Sequence, residues 1–255
     1  MHQAPTNFGL KLSRWTLGAI KDACSWLEGY TLSGIWHILK WMGIHYKRGQ
    51  EHLHSPDLDY VAKRDRIREC LERAREKPGE VVLMYLDEFT FTRWPSLAQA
   101  YHPKGRAQPR AEMWPGFNTR GRVVAAMDAV SGKVVYMQRT RIPVKVLVEF
   151  MTRVREAYPG ARELYVVQDN WWNVHFHPLQ VARAEALAIT LLPLPTYSPW
   201  LNPIEKLGRM LRQQVTHMHP DGHDWPHLKE RVCSFFDQFS QGSKPLLKYV
   251  ALLPT

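Results

Sequence analysis

The sequence predicts an α/β protein: a mixed five-stranded sheet with helices on both faces, preceded by a small α-helical region. Three observations carry this. Short apolar runs at residues 81–87, 122–127, 133–137, 164–167 and 189–194 read as strands. The first three runs follow one another and the last two alternate with helical patterns, so the sheet needs both antiparallel and parallel pairs. Residues 12–42 place apolar side chains at helical spacing with no strand among them. The expected divisions are a helical region at 1–55, a helical linker at 56–79 and the sheet domain at 80–255.

In order along the chain, Leu12, Trp15, Ala19, Ala23, Trp26 and Leu27 recur at helical spacing until Gly29-Tyr30 breaks the pattern. Ser33 suits the cap of a second helix, with Ile35, Leu39 and Met42 on one face and Gly43 at its end. Helix, glycine-containing turn, helix is the outline of a helix-turn-helix. In that reading Trp36, His37, Lys40 and Trp41 face a DNA groove, and Lys47-Arg48 reach phosphate. A plain helical hairpin fits the same pattern. His54-Ser55-Pro56-Asp57 forms a turn into a third helix over 59–77, whose mixed charges describe a solvated face, and Pro78-Gly79 ends it.

The first strand closes on Asp87. Residues 88–120 then interleave basic and aromatic side chains, among them Phe89, Phe91, Arg93, Trp94, Tyr101, Lys104, Arg106, Arg110 and Trp114. That mixture suits a nucleic-acid groove and equally a loop packed on the domain edge. Two strands flank Ser131-Gly132 as a hairpin, and Val144, Leu147, Val148, Met151 and Val154 mark an amphipathic helix stopped by Pro159-Gly160. The fourth strand runs into Asp169. A helix over 178–188, a strand over 189–194, a helix bearing Glu205 and a final helix over 226–239 complete the chain.

Composition narrows the function. Of 255 residues 45% are hydrophobic, enough for a sizeable core, and the net charge is +10. Residues 81–160 hold 12 Lys/Arg against 6 Asp/Glu, so the surplus lies in the sheet domain and points to an anionic partner, double-stranded DNA before a membrane. Cys24, Cys70 and Cys233 are far apart and form no CxxC pair, which speaks against disulfides or a zinc knuckle and for a reducing compartment. With no run of 18 apolar residues and no apolar leader, a cytoplasmic, nucleoid-associated protein is expected.

The candidate chemistry lies in Asp87, Asp169 and Glu205. Two neighbouring strands that end in aspartate bring both carboxylates to one edge of the core, and a helix starting there adds a glutamate. Three oxygen donors suit Mg²⁺ or Mn²⁺. Two such ions serve in-line phosphoryl displacement. Glu88 alternates to the opposite face of its strand, and Asp128 ends the second strand near the same edge, as a turn-starting residue ahead of a fourth ligand. Lys206, Arg209 and Arg212 share a helix face that contacts phosphate or is simply solvated. His217, His219, His223 and His227, with Asp221 and Asp224, read as a polar loop ahead of a zinc site.

Leu86-Asp87-Glu88, Asp169-Asn170 with His175, and Tyr197-Ser198-Pro199-Trp200-Leu201-Asn202-Pro203-Ile204-Glu205 resemble the three signature blocks of the IS630-type transposases of the Tc1/mariner superfamily. His54-Ser55-Pro56-Asp57 with Tyr60 is similar to that family's linker. The resemblance implies an RNase H-like fold and a catalytic, metal-binding triad of Asp87, Asp169 and Glu205. It implies two Mg²⁺ or Mn²⁺ ions, cleavage at transposon inverted repeats, 3′-OH transfer into TA targets, and a homodimer on DNA. Asn170, His175, Asn202 and Pro203 would support the triad, with Asn170 orienting Asp169 or contacting the scissile phosphate. Trp36, His37, Lys40, Lys47, Arg48, Arg106, Lys206 and Arg209 would contact DNA. The chain departs from the pattern in two places: one extra residue between Asp169 and His175, and Gly208 where an aromatic is typical. It also starts close to the last helix-turn-helix unit of the family, so an incomplete recognition region is expected. These departures motivate the alternative of an inactive remnant that binds DNA; another RNase H-like nuclease is the third.

Overall fold

The structure, a computed structural model, describes residues 3–47, 54–170 and 175–253. It divides into two compact units, Met1–His52 and Leu53–Thr255.

The first unit holds helices α1 (Leu17–Ala23) and α2 (Leu32–Trp41), with a single 3-10 turn, Ser25–Leu27, between them. Helix α1 is much shorter than its apolar spacing suggests. Thr16 caps it by accepting from the Ala19 N–H, and Cys24 turns extended and ends it. The cap of α2 is Thr31, not Ser33; its hydroxyl accepts from the Gly34 N–H. Gly43 takes a left-handed φ of 73° just beyond the helix, as a chain leaving a helix commonly requires. Ile20, Leu27 and Ile35 form the small core of this unit.

In the second unit β1 (Val81–Thr92), β2 (Arg120–Asp128), β3 (Val134–Arg139), β4 (Glu163–Gln168) and β5 (Ile189–Pro193) form one sheet in the order β3-β2-β1-β4-β5. The β1–β2 and β2–β3 pairs are antiparallel, and β1–β4 and β4–β5 are parallel. The mixed sheet is as expected, but β1 is five residues longer. Parallel pairing with β4 ends at Tyr85↔Val167, whereas antiparallel pairing with β2 carries β1 on to Thr92. Phe89 and Phe91 are therefore strand residues in the core, not part of an irregular basic loop. Only residues 93–119 are irregular.

Alternation along β1 sorts the two faces. Val82, Met84 and Leu86 pack with α4 (Val144–Glu156) and α5 (Pro178–Ala186). Leu83, Tyr85, Phe89 and Phe91 pack with α3 (Tyr60–Glu76), α6 (Ile204–Leu211), α7 (Trp225–Asp237) and α8 (Lys244–Tyr249). Helix α3, expected as a linker, buries Ile67, Cys70 and Ala74 in that core and lies within the second unit. Helix α8 was not anticipated, although Ser243 caps it with an acceptor for the Leu246 N–H and Leu246 is buried. Asp128 lies opposite Met84, while Asp87 lies opposite Ala125, so Asp128 is three pairs away from Asp87 along the sheet and on the opposite face. It caps its own turn, accepting from Val130, Ser131 and Tyr158, and adds nothing to the triad.

Candidate active site

Asp87 stands two residues beyond the last parallel pair on β1, and Asp169 stands two beyond it on β4. Continuing the register sets them side by side. By alternation Asp87 shares the face of Tyr85 and Phe89, which α6 covers, and α6 begins one residue before Glu205. The entrance to α6 is built by Asn202 and Pro203: the Glu205 N–H donates to the Asn202 carbonyl at 3.2 Å and the Lys206 N–H to the Pro203 carbonyl at 3.1 Å. Sheet register and helix start thus bring the three carboxylates to one edge.

Their electrostatics agree with this. Burial pushes the Asp87 carboxyl up to about 7; the Glu88 N–H at 2.7 Å opposes it, and the charges of Asp169 and Glu205 push the same way. Glu205, at the exposed rim, is also raised, first by the loss of part of its water shell and then by Asp169, while Arg209 and Arg212 pull it down. A half-buried carboxylate with two acidic neighbours is unfavourable unless a proton or a cation joins it. Among the described residues no three ligating side chains already stand as a closed metal cluster. A divalent cation at this edge would offset that charge. The donor set fits such an ion: three carboxylates, plus the buried side-chain oxygens of Asn170 and Asn202, which have no hydrogen-bond partner among the described residues.

A second layer holds the first in place. Glu88 points to the α5 side, where its carboxylate lies 3.3 Å from His175 Nε2, and His175 Nδ1 lies 3.2 Å from the Asp169 carbonyl. Burial disfavours the imidazolium, but the Glu88 hydrogen bond and charge and the Asp169 carbonyl outweigh it and raise its pKa. Buried Gln168 donates to the His175 carbonyl and accepts from Gln180 at 3.1 Å. This Gln168–Gln180 contact carries no sequence signal beyond an amide in an apolar run. Residues 171–174, where the extra residue falls, lie outside the described residues, as does Arg48.

The other expected contacts divide. Arg209 is exposed on the Glu205 side of α6, but Lys206 Nζ is turned to the Val250 carbonyl at 3.3 Å. Lys206 thus also holds the C-terminal segment. Arg106 is exposed in the 93–119 loop. On α2 Trp36, His37 and Lys40 are exposed, with Lys40 Nζ 5.2 Å from the Trp36 ring, and Lys47 is exposed beyond the helix. Of the histidine cluster, His219 accepts from the Asp221 N–H, Asp221 pairs with Arg231, and Asp224 caps α7. These are turn and cap contacts, not a metal site.

The sequence model of the family described as "DDE superfamily endonuclease" matches residues 82–224, the stretch that contains all three carboxylates. The chain belongs to that family. A relative, the "Insertion element IS630 uncharacterized 39 kDa protein" of Shigella sonnei, is 23% identical over 230 residues, which is 89% of this chain and 65% of the relative. The chain thus spans a little under two thirds of that protein's length. Among solved structures, the mariner Mos1 paired end complex with Mg is similar with a TM-score of 0.67 at 16% identity, covering 94% of this chain and 72% of that one. The Mos1 transposase paired-end complex with left transposon end gives 0.64 at 17% identity, covering 100% and 76%. These likenesses show that the DDE endonuclease unit shares its fold with the Mos1 transposase.

Gly208, the second departure from the family pattern, has a structural reason. A Cβ there would lie 2.5 Å from Phe89 Cε1. Phe89 enters from β1, stacks 6.0 Å from Phe236, and occupies the space above α6. An aromatic ring from the strand thus fills the space over Gly208.

Proposed function

We propose that this DDE endonuclease is the catalytic chain of a DNA transposase of the IS630 type, cutting phosphodiesters at transposon ends and joining the 3′-OH to target DNA at TA sites. The observation that supports this best is the convergence of Asp87, Asp169 and Glu205, with the Asp87 and Glu205 carboxyls both raised, inside the stretch matched by the family. The similar Mos1 structures include complexes with transposon DNA, Mg and Mn, which accords with two divalent ions and a DNA-bound homodimer here. Bound at the three carboxylates, such ions would activate the attacking oxygen and stabilise the leaving one. The chain's own residues do the rest. Asp87 gives up the proton that burial favours, Glu88 and His175 hold the loop after Asp169, and Arg209 and Arg212 draw the phosphate backbone toward Glu205. No helix among the described residues is long and apolar enough to cross a membrane, and work on DNA fits a nucleoid-associated location.

The test is cleavage of a labelled duplex that carries the inverted repeats flanking the gene, with Mg²⁺ or Mn²⁺. Wild-type protein is expected to cut, and Asp169→Ala to lose about 10³-fold, several kcal/mol of transition-state stabilisation. Cleavage that survives Asp169→Ala overturns the reading. Duplex binding is expected to weaken with salt. Lys40→Ala and Lys47→Ala should each reduce the log–log salt slope by about 0.9 if each lysine touches one phosphate. Unchanged slopes in filter binding would remove these lysines from the interface.

A further inference from the structure

We propose that the Ser55–Asp57 turn is a positioning element for Glu205, acting through Thr196; this rests on reading Asp87, Asp169 and Glu205 as the metal-binding triad. Thr196 opens the segment that leads to Glu205, and it is held on three sides. Its N–H donates to Asp57 Oδ2 at 2.8 Å, its carbonyl accepts from Ser55 Oγ at 2.6 Å, and its hydroxyl accepts from Asn170 Nδ2 at 3.0 Å. Asn170 adjoins Asp169. One threonine therefore ties the strand end that carries Asp169 to the loop that delivers Glu205, and both to the turn before α3.

Asp57 is itself fixed. Lys63 Nζ donates to it at 2.8 Å and the Asp59 N–H at 2.9 Å, and its side chain is only 6% exposed. These contacts hold its carboxyl down to about 2, led by the Lys63 and Thr196 hydrogen bonds, so it stays ionised across the working range. A second fastening lies further along the same loop, where Trp200 Nε1 donates to the Tyr60 hydroxyl at 3.1 Å. The loop is thus pinned at 196 and 200 to residues 55–60, and Ser198 and Asn202 are buried beneath it.

Between the pins the backbone is strained. Tyr197 has a φ of 53°, left-handed for a bulky residue whose side chain is exposed. Such a conformation costs of order 1–3 kcal/mol and persists only where its surroundings impose it. Among the described residues its neighbours are held by hydrogen bonds: Thr196 by Ser55, Asp57 and Asn170, and Trp200 by Tyr60. These bonds fix the chain on both sides of Tyr197. Their consequence for chemistry is the placement of Glu205 relative to Asp169, and a metal ligand displaced by about 1 Å costs on the order of 10²-fold in rate.

The experiment compares full-length wild type, Asp57→Ala, Asp57→Asn and Ser55→Ala by Mn²⁺ titration without DNA, read by electron paramagnetic resonance. Amide hydrogen exchange and thermal melts accompany it, with Asp169→Ala as the reference for a broken site. Asp57→Ala is expected to weaken Mn²⁺ binding about tenfold or more and to speed exchange at residues 196–205 while β1 and β4 keep their protection. Asp57→Asn retains an acceptor for the Thr196 N–H and is expected to recover most of the affinity; Ser55→Ala moves the same way by less. Wild-type Mn²⁺ affinity in Asp57→Ala, or a loss that Asp57→Asn does not relieve and that only tracks a lowered melt, overturns the proposal. Unchanged exchange at 196–205 overturns it independently of any metal. If wild type itself takes up no Mn²⁺, or Asp169→Ala binds as well as wild type, the functional reading falls first, and that outcome is distinct from loss of the clamp alone.

Discussion

Asp87→Asn is expected to abolish metal-dependent cleavage, by about 10³-fold, and at the same time to stabilise the metal-free protein at neutral pH. The sign follows from the raised carboxyl. Asp87 sits at about 7 in the fold against an ordinary 3.8, because burial comes first among its causes and two acidic neighbours add to it. Between pH 4 and 7 the folded protein keeps a proton that the unfolded chain has released, so stability falls as pH rises across that window. Above 7 the folded protein carries the whole penalty of a charge it disfavours. Three pKa units correspond to about 4 kcal/mol at most, and residual solvent contact reduces this to roughly 2 kcal/mol. Asparagine keeps the shape and the acceptor for the Glu88 N–H without the charge. Urea melts in EDTA at pH 5 and pH 8 check this. Wild type should lose stability relative to Asp87→Asn at pH 8 and regain it when Mg²⁺ or Mn²⁺ is added, since a ligand of the folded state stabilises it. An Asp87→Asn protein less stable than wild type in EDTA at pH 8 would show that the carboxylate is not the burden described.

Gly208→Ala is expected to destabilise the protein despite alanine's better helix propensity. The propensity gain is about 1 kcal/mol. Against it, the new methyl would come within 2.6 Å of two Phe89 ring atoms, in a core where both residues are buried. Overpacking of this kind typically costs 1–3 kcal/mol, roughly, and the strained element here is the one that carries Glu205. A net loss of up to about 2 kcal/mol in chemical denaturation is expected, together with lower cleavage. Phe89→Leu should relieve much of it, so the double mutant should be less unstable than the two single changes added together. Strict additivity would mean that the two residues do not compete for the same space. If Gly208 instead marked a decayed helix, its replacement by alanine would stabilise.

Much of the catalytic unit is legible in the chain because its signals are local. Apolar runs of six and four residues lead into Asp87 and, past Gln168, into Asp169, and the block from Tyr197 to Glu205 announces a helix start with Asn202 and Pro203. Errors arise where a partner decides the outcome. The strand reading stops at Asp87 since a carboxylate looks like an end. Only the antiparallel neighbour β2, which outruns β4 by seven pairs, shows that β1 continues to Thr92 and buries Phe89 and Phe91. Lys206 gives no hint in the chain that its ammonium reaches the Val250 carbonyl. Asp128 looks like a neighbour of Asp87 until the register of β2 puts it three pairs away and on the opposite face.

By itself the sequence determined most of the elements and their order and singled out Asp87, Asp169 and Glu205 as candidates, because periodicity and side-chain chemistry act over a few residues. Tertiary structure alone decided how those carboxylates are held. The Asp57–Thr196 hydrogen bond joins residues 139 positions apart, and Phe89 fills the space over Gly208 from a different element. Contacts of that range leave no periodic trace in the chain. They exist only once sheet register and helix packing have brought the segments together.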